Sequence, residues 1–420
     1  MQTCDTKIIE ITTLRKLTTS KALEQRSTHG GIDKLTITEI KPREVVGRET
    51  TRRFYAQFKA AALESLQLLD HSNIDRIYCD FHDDYVVRYI TPSGSSYRFV
   101  QVKTNGKANE RWSPLEIFGI KKRLRKDTTH DLKTSFAGRL FLHIENFGPT
   151  CNCVQLSTNI NFDDDVLDIE NDLRNGSFKG KLTKTLITEI KNNFPKLAHQ
   201  SDSSILKAFS SFKLSPRENI LDDEREAFIT QASTKIYKYS EIHLTPPEVS
   251  KIVDTLVDLV RNKSSSVILE GMTELELEKV SAIALEDILG LLSISKTAFE
   301  ILRAGGDNNA IKSASILQRT LTKSNFSIDT VNQFAQYKSD WDTWFRVSRH
   351  NIPNLQLTVY LQQANEVARK LANANLSILD LYSEVNKLLT FAVSTPGMQT
   401  IGEGQILGGV LAELVRGEGI

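Results

Sequence analysis

Apolar positions follow two regimes along this chain. Up to Asp163 they fall mostly in short alternating runs, and beyond it they recur every three or four residues. Between Thr51 and Leu69, the residues Phe54, Phe58, Ala61, Ala62, Leu66 and Leu69 form a stripe at helical spacing, which the polar run Asp70-His71-Ser72-Asn73 ends. Ile74 to Phe81 (IDRIYCDF) alternates with period two and reads as a strand, and Asp84 to Thr91 (DYVVRYIT) reads as a second. Pro92-Ser93-Gly94-Ser95 is a turn, leading to a third strand over Tyr97 to Lys103 (YRFVQVK). A second helix is expected from about Pro114 to Lys126 and another strand over Arg139 to Glu145 (RLFLHIE), with Val154 to Ser157 a candidate extension of the sheet. The order is helix, strand, strand, strand, helix, strand.

Past Asp163 the pattern predicts helices almost throughout: near 181–194, 203–211, 223–235, 246–262 and 274–292, then 296–304, 308–320, 328–348, 355–374 and 377–393. Pro246-Pro247 suits a helix start, because proline in the first turn has no amide hydrogen to leave unpaired. Lys263 to Ser266 reads as a loop or linker. The fold class expected is α+β or α/β, an αβββαβ N-terminal domain followed by a mainly α-helical C-terminal region. Residues 1–45 are polar, broken by Gly30-Gly31, and read as an N-terminal arm. Neither an internal repeat nor a low-complexity tract is evident.

Composition narrows this picture without naming a function. With 420 residues, 40% hydrophobic and 25% charged, the sequence suits a globular protein of two or three domains. The start, MQTCDTKIIEITTLRK, lacks the apolar run of a signal peptide, and no stretch reaches the roughly 18 apolar residues of a membrane span, so a cytoplasmic protein is expected. Cys4, Cys79, Cys151 and Cys153 are too few and too irregular for a disulfide framework, and the Cys151/Cys153 pair lacks partners for a zinc site. A formal net charge of +1 excludes a global basic field, so nucleic-acid contact would need a local patch. The sequence contains no P-loop, no G-x-G-x-x-G after a strand and no G-x-S-x-G elbow, and ATP hydrolysis by this chain is not expected.

Candidate chemistry gathers at Asp80-Phe81-His82-Asp83-Asp84 and at Gln101-Val102-Lys103. A turn centred near Ser93 and Gly94 makes antiparallel partners sum to about 187, which sets Asp84 opposite Lys103, while Gln101 and Lys103 share a face. A carboxylate, an amide oxygen and an ammonium would then meet at the end of a hairpin. Phosphodiester hydrolysis uses such a set, because a hard cation such as Mg²⁺ takes oxygen ligands and a lysine offsets charge building on the phosphate.

The ordered elements, with Asp on the second strand and Q-x-K on the third, resemble the PD-(D/E)XK, restriction-endonuclease-like nuclease fold. Arg48-Glu49-Thr50, Phe54, Gln57, then HDD and FVQVK are similar to one bacterial subfamily in particular. This is the endonuclease domain of anti-phage effectors, found in CBASS double-stranded-DNA endonucleases and in two-gene systems beside a HerA-type ATPase. The resemblance covers about residues 40–240. It implies Asp84 as leading metal ligand, Gln101 as the second and Lys103 as the catalytic lysine, with Asp83 the competitor of Asp84. Asp80 falls where the family often has an acid on the first strand, and Gln57 where related nucleases place an acidic or amide residue. A Mg²⁺ (or Mn²⁺) cofactor, double-stranded DNA as substrate, self-assembly, a HerA-type ATPase partner and no membrane association follow as implications. On this reading 46–240 is a nuclease domain with a helical extension and 245–420 an α-helical assembly or partner-binding domain. The C-terminal half departs from the CBASS pattern, lacking the alternating strands and helices of a nucleotide-sensing domain.

Several further residues carry two readings. Lys121, Lys122, Arg123, Arg125 and Lys126 would lie on the second helix, either as a phosphate-holding patch or as a solvated face. Trp112 reads as core rather than stacking platform. Asp163-Asp164-Asp165 reads as carboxylates at a helix N-terminus. His82 sits in the acidic cluster and His143 on the predicted fourth strand, as a core or sheet-face residue. Trp341, Trp344 and Phe345 lie at helical spacing and read as internal core, whereas the apolar stripe Ile406, Leu407, Val410, Leu411, Leu414 and Val415 in the glycine-rich tail is a candidate for docking on a neighbouring subunit. A catalytically degenerate nuclease fold serving as scaffold is the competing function, because Gln101 replaces the usual acid.

Overall fold

The computed structural model describes residues 45–417 except 71–72, 108, 124–128, 178, 223–224, 241–244 and 374–376. The arm expected over 1–45 falls, apart from its last residue, outside this description. The chain divides into two compact units, Met1–Thr50 and Thr51–Ile420. Of the first, residues 45–50 are helical; the second holds the sheet, the candidate site and the helical region.

α1 (Val45–Ser65) continues into a 3₁₀ turn at Leu66–Leu69. Ala56, Ala60, Ala61 and Ala62 let it lie close against its neighbours, with Leu63 and Leu66 buried beside them. Phe54, read as part of the apolar stripe, is instead 47% exposed and stacks on Phe58. β1 (Ile74–Phe81), β2 (Asp83–Thr91) and β3 (Gly94–Lys103) then form an antiparallel meander. Thr91 pairs with Gly94, so the β2–β3 turn is the two residues Pro92-Ser93 and partners sum to 185, two fewer than the sequence suggested. A shift of two residues changes who faces whom but keeps every side chain on its expected face.

Between β3 and β5 the sequence reading needs two corrections. β4 (Arg111–Trp112) leads to α2 (Pro114–Phe118), which opens with a Ser113/Glu116 capping box but stops after five residues. Gly119 ends it at φ 65°, and a Cβ there would lie 2.0 Å from the Asp131 carbonyl oxygen, so only glycine permits the approach. The expected helix to Lys126 is thus cut short, and Lys121, Lys122 and Arg123 follow it in non-helical backbone. The predicted strand Arg139–Glu145 is the middle of α3 (Phe136–Phe147), N-capped by Ser135, whose hydroxyl accepts the Gly138 N–H. Ala137, Leu140, Phe141 and Ile144 recur at helical spacing on its buried side, a period that a seven-residue window conceals.

α3 carries the chain across to β5 (Cys151–Thr158), parallel to β3, and β6 (Asn161–Phe162) pairs with β4 in a separate two-stranded ribbon. α4 (Asp164–Asn175), α5 (Lys181–Asn193) and α6 (Asp202–Phe209) follow. Two short strands interrupt the region expected to be helical: β7 (Phe212–Ser215), parallel to β5, and, after α7 (Arg225–Ser240), α8 (Pro246–Ser264) and α9 (Glu274–Ser281), β8 (Ala282–Ile283), antiparallel to β1. The described residues therefore form a six-stranded sheet in the order β7-β5-β3-β2-β1-β8. The rest is helical: α10 (Leu285–Leu291), α11 (Lys296–Ala304), α12 (Ala310–Lys323), α13 (Ile328–Ser348), α14 (Asn354–Ala372), α15 (Ile378–Val393) and α16 (Glu403–Gly417). The mixed sheet followed by helices is the fold class the sequence predicts.

The sheet is covered on both faces, as its strand alternation requires. Ile77, Cys79, Tyr85, Val87, Val100 and Val102 share one core with α1 and the C-terminal helices. Tyr78, Val86, Phe99, Val154 and Leu156 share the other with α3 to α6. Trp341 stacks on Phe345 and Tyr360 as internal core. The tail does not wait for a neighbour: Ile406, Leu407, Val410, Leu411 and Leu414 of α16 are buried within this same chain, and Gly408 lets α16 approach the Tyr337 carbonyl of α13. Among the described residues no helix is long and apolar enough to cross a membrane.

Candidate active site

The site lies where β1, β2 and β3 end or begin, on the face covered by α3. β1 turns into β2 at His82, since Phe81 pairs with Asp83. Asp80 (φ 49°) and His82 (φ 68°) flank Phe81 in the left-handed region, which Asp and His tolerate better than branched residues. This tight reversal sets Asp80, Asp83 and Asp84 within electrostatic reach of one another. Continuing the pairing of Tyr85 with Val100 by one step sets Asp84 beside Gln101, and Lys103 follows on the same face.

The geometry separates the two adjacent aspartates, which sequence alone left open. Asp83 is engaged at both oxygens: Oδ1 accepts the Asp84 backbone N–H at 3.0 Å, and Oδ2 lies 3.1 Å from His143 Nε2. Asp84 faces the other way, its Oδ2 accepting the Val102 N–H at 2.6 Å and standing 4.0 Å from Lys103 Nζ. Burial pushes the Asp84 carboxyl up to about 6, against the opposing pull of the Lys103 ammonium, and the Asp83 and Asp80 charges add to the rise. Asp80 is likewise raised, by burial and by the Asp83 charge. Lys103 also lies over the Phe136 ring, 5.4 Å from its centre, which fixes its stem at the start of α3.

Gln101 is 6% exposed, and its Oε1 has no hydrogen-bond partner. A buried amide oxygen without a donor is costly, so an arriving cation or donor would complete it. Together with the Asp84 carboxylate this fits an oxygen-ligated divalent ion of the Mg²⁺ type, which needs only one or two carboxylates from the protein. No group of three or more His, Cys, Asp or Glu side chains arranged to hold a metal ion occurs among the described residues.

His143 is the residue sequence reasoning missed. Misreading α3 as a strand placed it on a sheet face. In the helix it is buried, stacks on Phe99 at 4.2 Å between ring centres, and reaches Asp83. Its place beside the apolar stripe 137, 140, 141 and 144 would have been the signal. His82 packs edge-on against Phe81 and Phe147, and burial and the His143 charge lower its pKa.

The other predicted residues lie elsewhere or do other work. Gln57, half-buried on α1, makes no hydrogen bond to Asp84, Gln101 or Lys103. The Lys121 backbone N–H donates to His130 Nδ1, Lys122 is ion-paired with Asp165, and Arg123 is exposed, whereas Arg125 and Lys126 fall outside the described residues. Asp163 is the N-cap residue of α4 with Asp164 and Asp165 in its first turn, as helix-end acids, and Arg111 pairs with Asp164 at 3.3 Å. Trp112 is buried, its Nε1–H donating to Thr158 Oγ1.

A family model described as the Cap4 dsDNA endonuclease domain matches residues 46–264, more than half of the chain. No curated protein matches. Solved structures of the Acinetobacter baumannii Cap4 SAVED/CARF-domain containing receptor are similar at low identity. One is 12% identical with a TM-score of 0.33, covering 61% of this chain and 48% of that one. The form with the cyclic trinucleotide 2'3'3'-cAAA is 11% identical with a TM-score of 0.35, covering 70% and 58%. The matched parts thus span about half the length of those receptors. With β1 to β7, the Asp84–Lys103 cluster and the family model falling on the same residues, the chain belongs to the Cap4 dsDNA endonuclease domain family.

Proposed function

We propose that this chain is a metal-dependent double-stranded-DNA endonuclease of bacterial anti-phage defence, acting in the cytoplasm. The observation that carries the reading is Asp84 and Lys103 facing each other beside the partnerless Gln101 oxygen, inside the family-matched segment. Asp84 and Gln101 would hold Mg²⁺ or Mn²⁺, with Asp80 close by. The ion, when bound, supplies Lewis acidity toward the phosphate and lowers the pKa of water. Lys103 orients the attacking water and offsets negative charge developing on the phosphate. Asp83, held by His143, keeps the turn in the shape that aims Asp84 inward. Lys121 and Arg123 are candidates for phosphate contact.

Self-assembly and a HerA-type ATPase partner belong to the same proposal. Their support is that, among the described residues after β8, the regular elements are all helical, where a nucleotide-sensing domain would alternate strands with helices. The test is cleavage of plasmid DNA with Mg²⁺ or Mn²⁺, with and without EDTA, by wild type, Asp84→Ala and Lys103→Ala. Cutting by wild type alone, abolished by EDTA, is expected. Cutting that persists in all three defeats the site assignment. No cutting by wild type, alone or with a HerA-type ring, favours the rival reading of a degenerate scaffold, which the neutral Gln101 in place of an acid supports.

A further inference from the structure

A second cleft, remote in chemistry from the nuclease cluster, lies between α8, the loop following α10, and α12. Its volume is about 580 Å³, a size common among small-molecule sites. Ile252, Leu292 and Ile294 give it an apolar wall, while Lys251, Arg319 and Lys323 bring three cationic side chains to it. One acid, Glu248, lines it too, but that carboxylate is committed to the start of α8: its Oε2 accepts both the Thr245 N–H and hydroxyl at 2.7 Å. Lys251 and Lys323 have no ion pair among the described residues. The cleft is therefore positive over an apolar floor.

Two polar groups in the wall are incomplete. Ser315, 2% exposed, has a hydroxyl with no hydrogen-bond partner, and Gln318 Oε1 is buried in the same state. The nitrogen of the Gln318 amide already donates to Thr322 Oγ1 at 3.2 Å, which holds the amide with its oxygen unpartnered. Folding alone gives no reason to bury a hydroxyl and an amide oxygen without partners at the edge of a cavity. A ligand that brings an N–H or O–H does.

The geometry points to a binding site for a small organic anion with a flat apolar body and one hydrogen-bond donor. The body lies on Ile252, Leu292 and Ile294, the donor meets Gln318 or Ser315, and the anionic group lies among Lys251, Arg319 and Lys323. Phosphate and carboxylate anions share this chemistry.

The probe is 8-anilinonaphthalene-1-sulfonate, which combines a fused ring, an N–H and a sulfonate, titrated by fluorescence into the full chain. Saturation at one probe per chain is expected. Affinity should fall at least tenfold in Lys251→Glu/Lys323→Glu and in Ile252→Trp, which fills the floor, with thermal melting and plasmid cleavage unchanged in the charge variant. Displacement by adenosine monophosphate assigns a phosphate ligand, and displacement by indole-3-acetate a carboxylate; displacement by neither overturns the site. Non-saturable binding, or full affinity in both variants, overturns it as well.

Discussion

Asp84 and Arg88 stand four residues apart on one strand, on the same face of the sheet, and both place a charge out of water. Their surroundings differ completely. Arg88 is enclosed by its partners: Nε donates to Asp75 Oδ2 at 2.9 Å, Nη1 to the Tyr78 hydroxyl at 3.0 Å and to Glu278 Oε1 at 2.5 Å, and Nη2 to Asp75. Asp84 has one backbone N–H and a lysine 4.0 Å away, beside an amide oxygen with no partner. A buried charge with all its partners supplied by the protein holds a structure together. One with an incomplete set is shaped to receive something.

The sharpest way to break this contrast is Arg88→Ala. It takes from Asp75 and Glu278 the buried cation they share, leaving them only the more exposed Arg76, and should cost about 3 kcal/mol in urea unfolding, while cleavage per folded molecule stays near wild type. If stability barely changes, the enclosed pair is not structural. Lys103→Met should do the reverse. It removes charge opposite the phosphate and should slow cleavage about 10²–10³-fold, with little change in melting temperature.

Asp84→Asn probes the same site through stability. The folded carboxyl titrates at about 6 against an ordinary 3.8, so the folded chain holds that proton more tightly than the unfolded one. Stability attached to this group is thus present at low pH and declines as pH rises from 3.8 through about 6. Without divalent ions, Asp84→Asn should gain up to about 3 kcal/mol at pH 7.5, two pKa steps' worth, and nothing at pH 3.5. Equal stability of the two proteins at both pH values rules out the strained carboxylate. The smallest effect is expected for His143→Ala, which frees Asp83. Loss of such an orienting partner should reduce cleavage about 10–100-fold, with His143→Gln recovering part of it, and the half-saturating Mg²⁺ concentration should rise. A variant that melts early but cuts with unchanged metal dependence would reduce His143 to a packing residue.

Much of this site was legible in the sequence because strands declare their faces. The strand runs over Asp84–Thr91 and Tyr97–Lys103 put Asp84, Gln101 and Lys103 on one side, and a turn two residues out of place did not disturb that parity. Choosing between Asp83 and Asp84 was beyond the sequence, since it depends on the reversal at His82 and on a histidine sixty residues later. α3 was hidden by the window: Arg139 to Glu145 alternates as a strand does, and only a reading widened to the N-cap Ser135 and to Ala137 shows the helical stripe Ala137, Leu140, Phe141 and Ile144. β7 and β8 are four and two residues long, so their pairing comes from tertiary contact and leaves no periodic trace. The basic run after Pro114 looked helical because nothing local announces that Gly119 must pass so near Asp131.

Arg88 has one more consequence, for anyone who would isolate the catalytic half. Glu274 and Glu278, which close around its guanidinium, and β8, which pairs along β1, all come after residue 264, where the family match stops. A fragment trimmed to that boundary would keep every residue of the candidate cluster yet leave an arginine half-matched and a strand edge bare. Its failure to cut DNA would then speak of a missing scaffold rather than a missing chemistry.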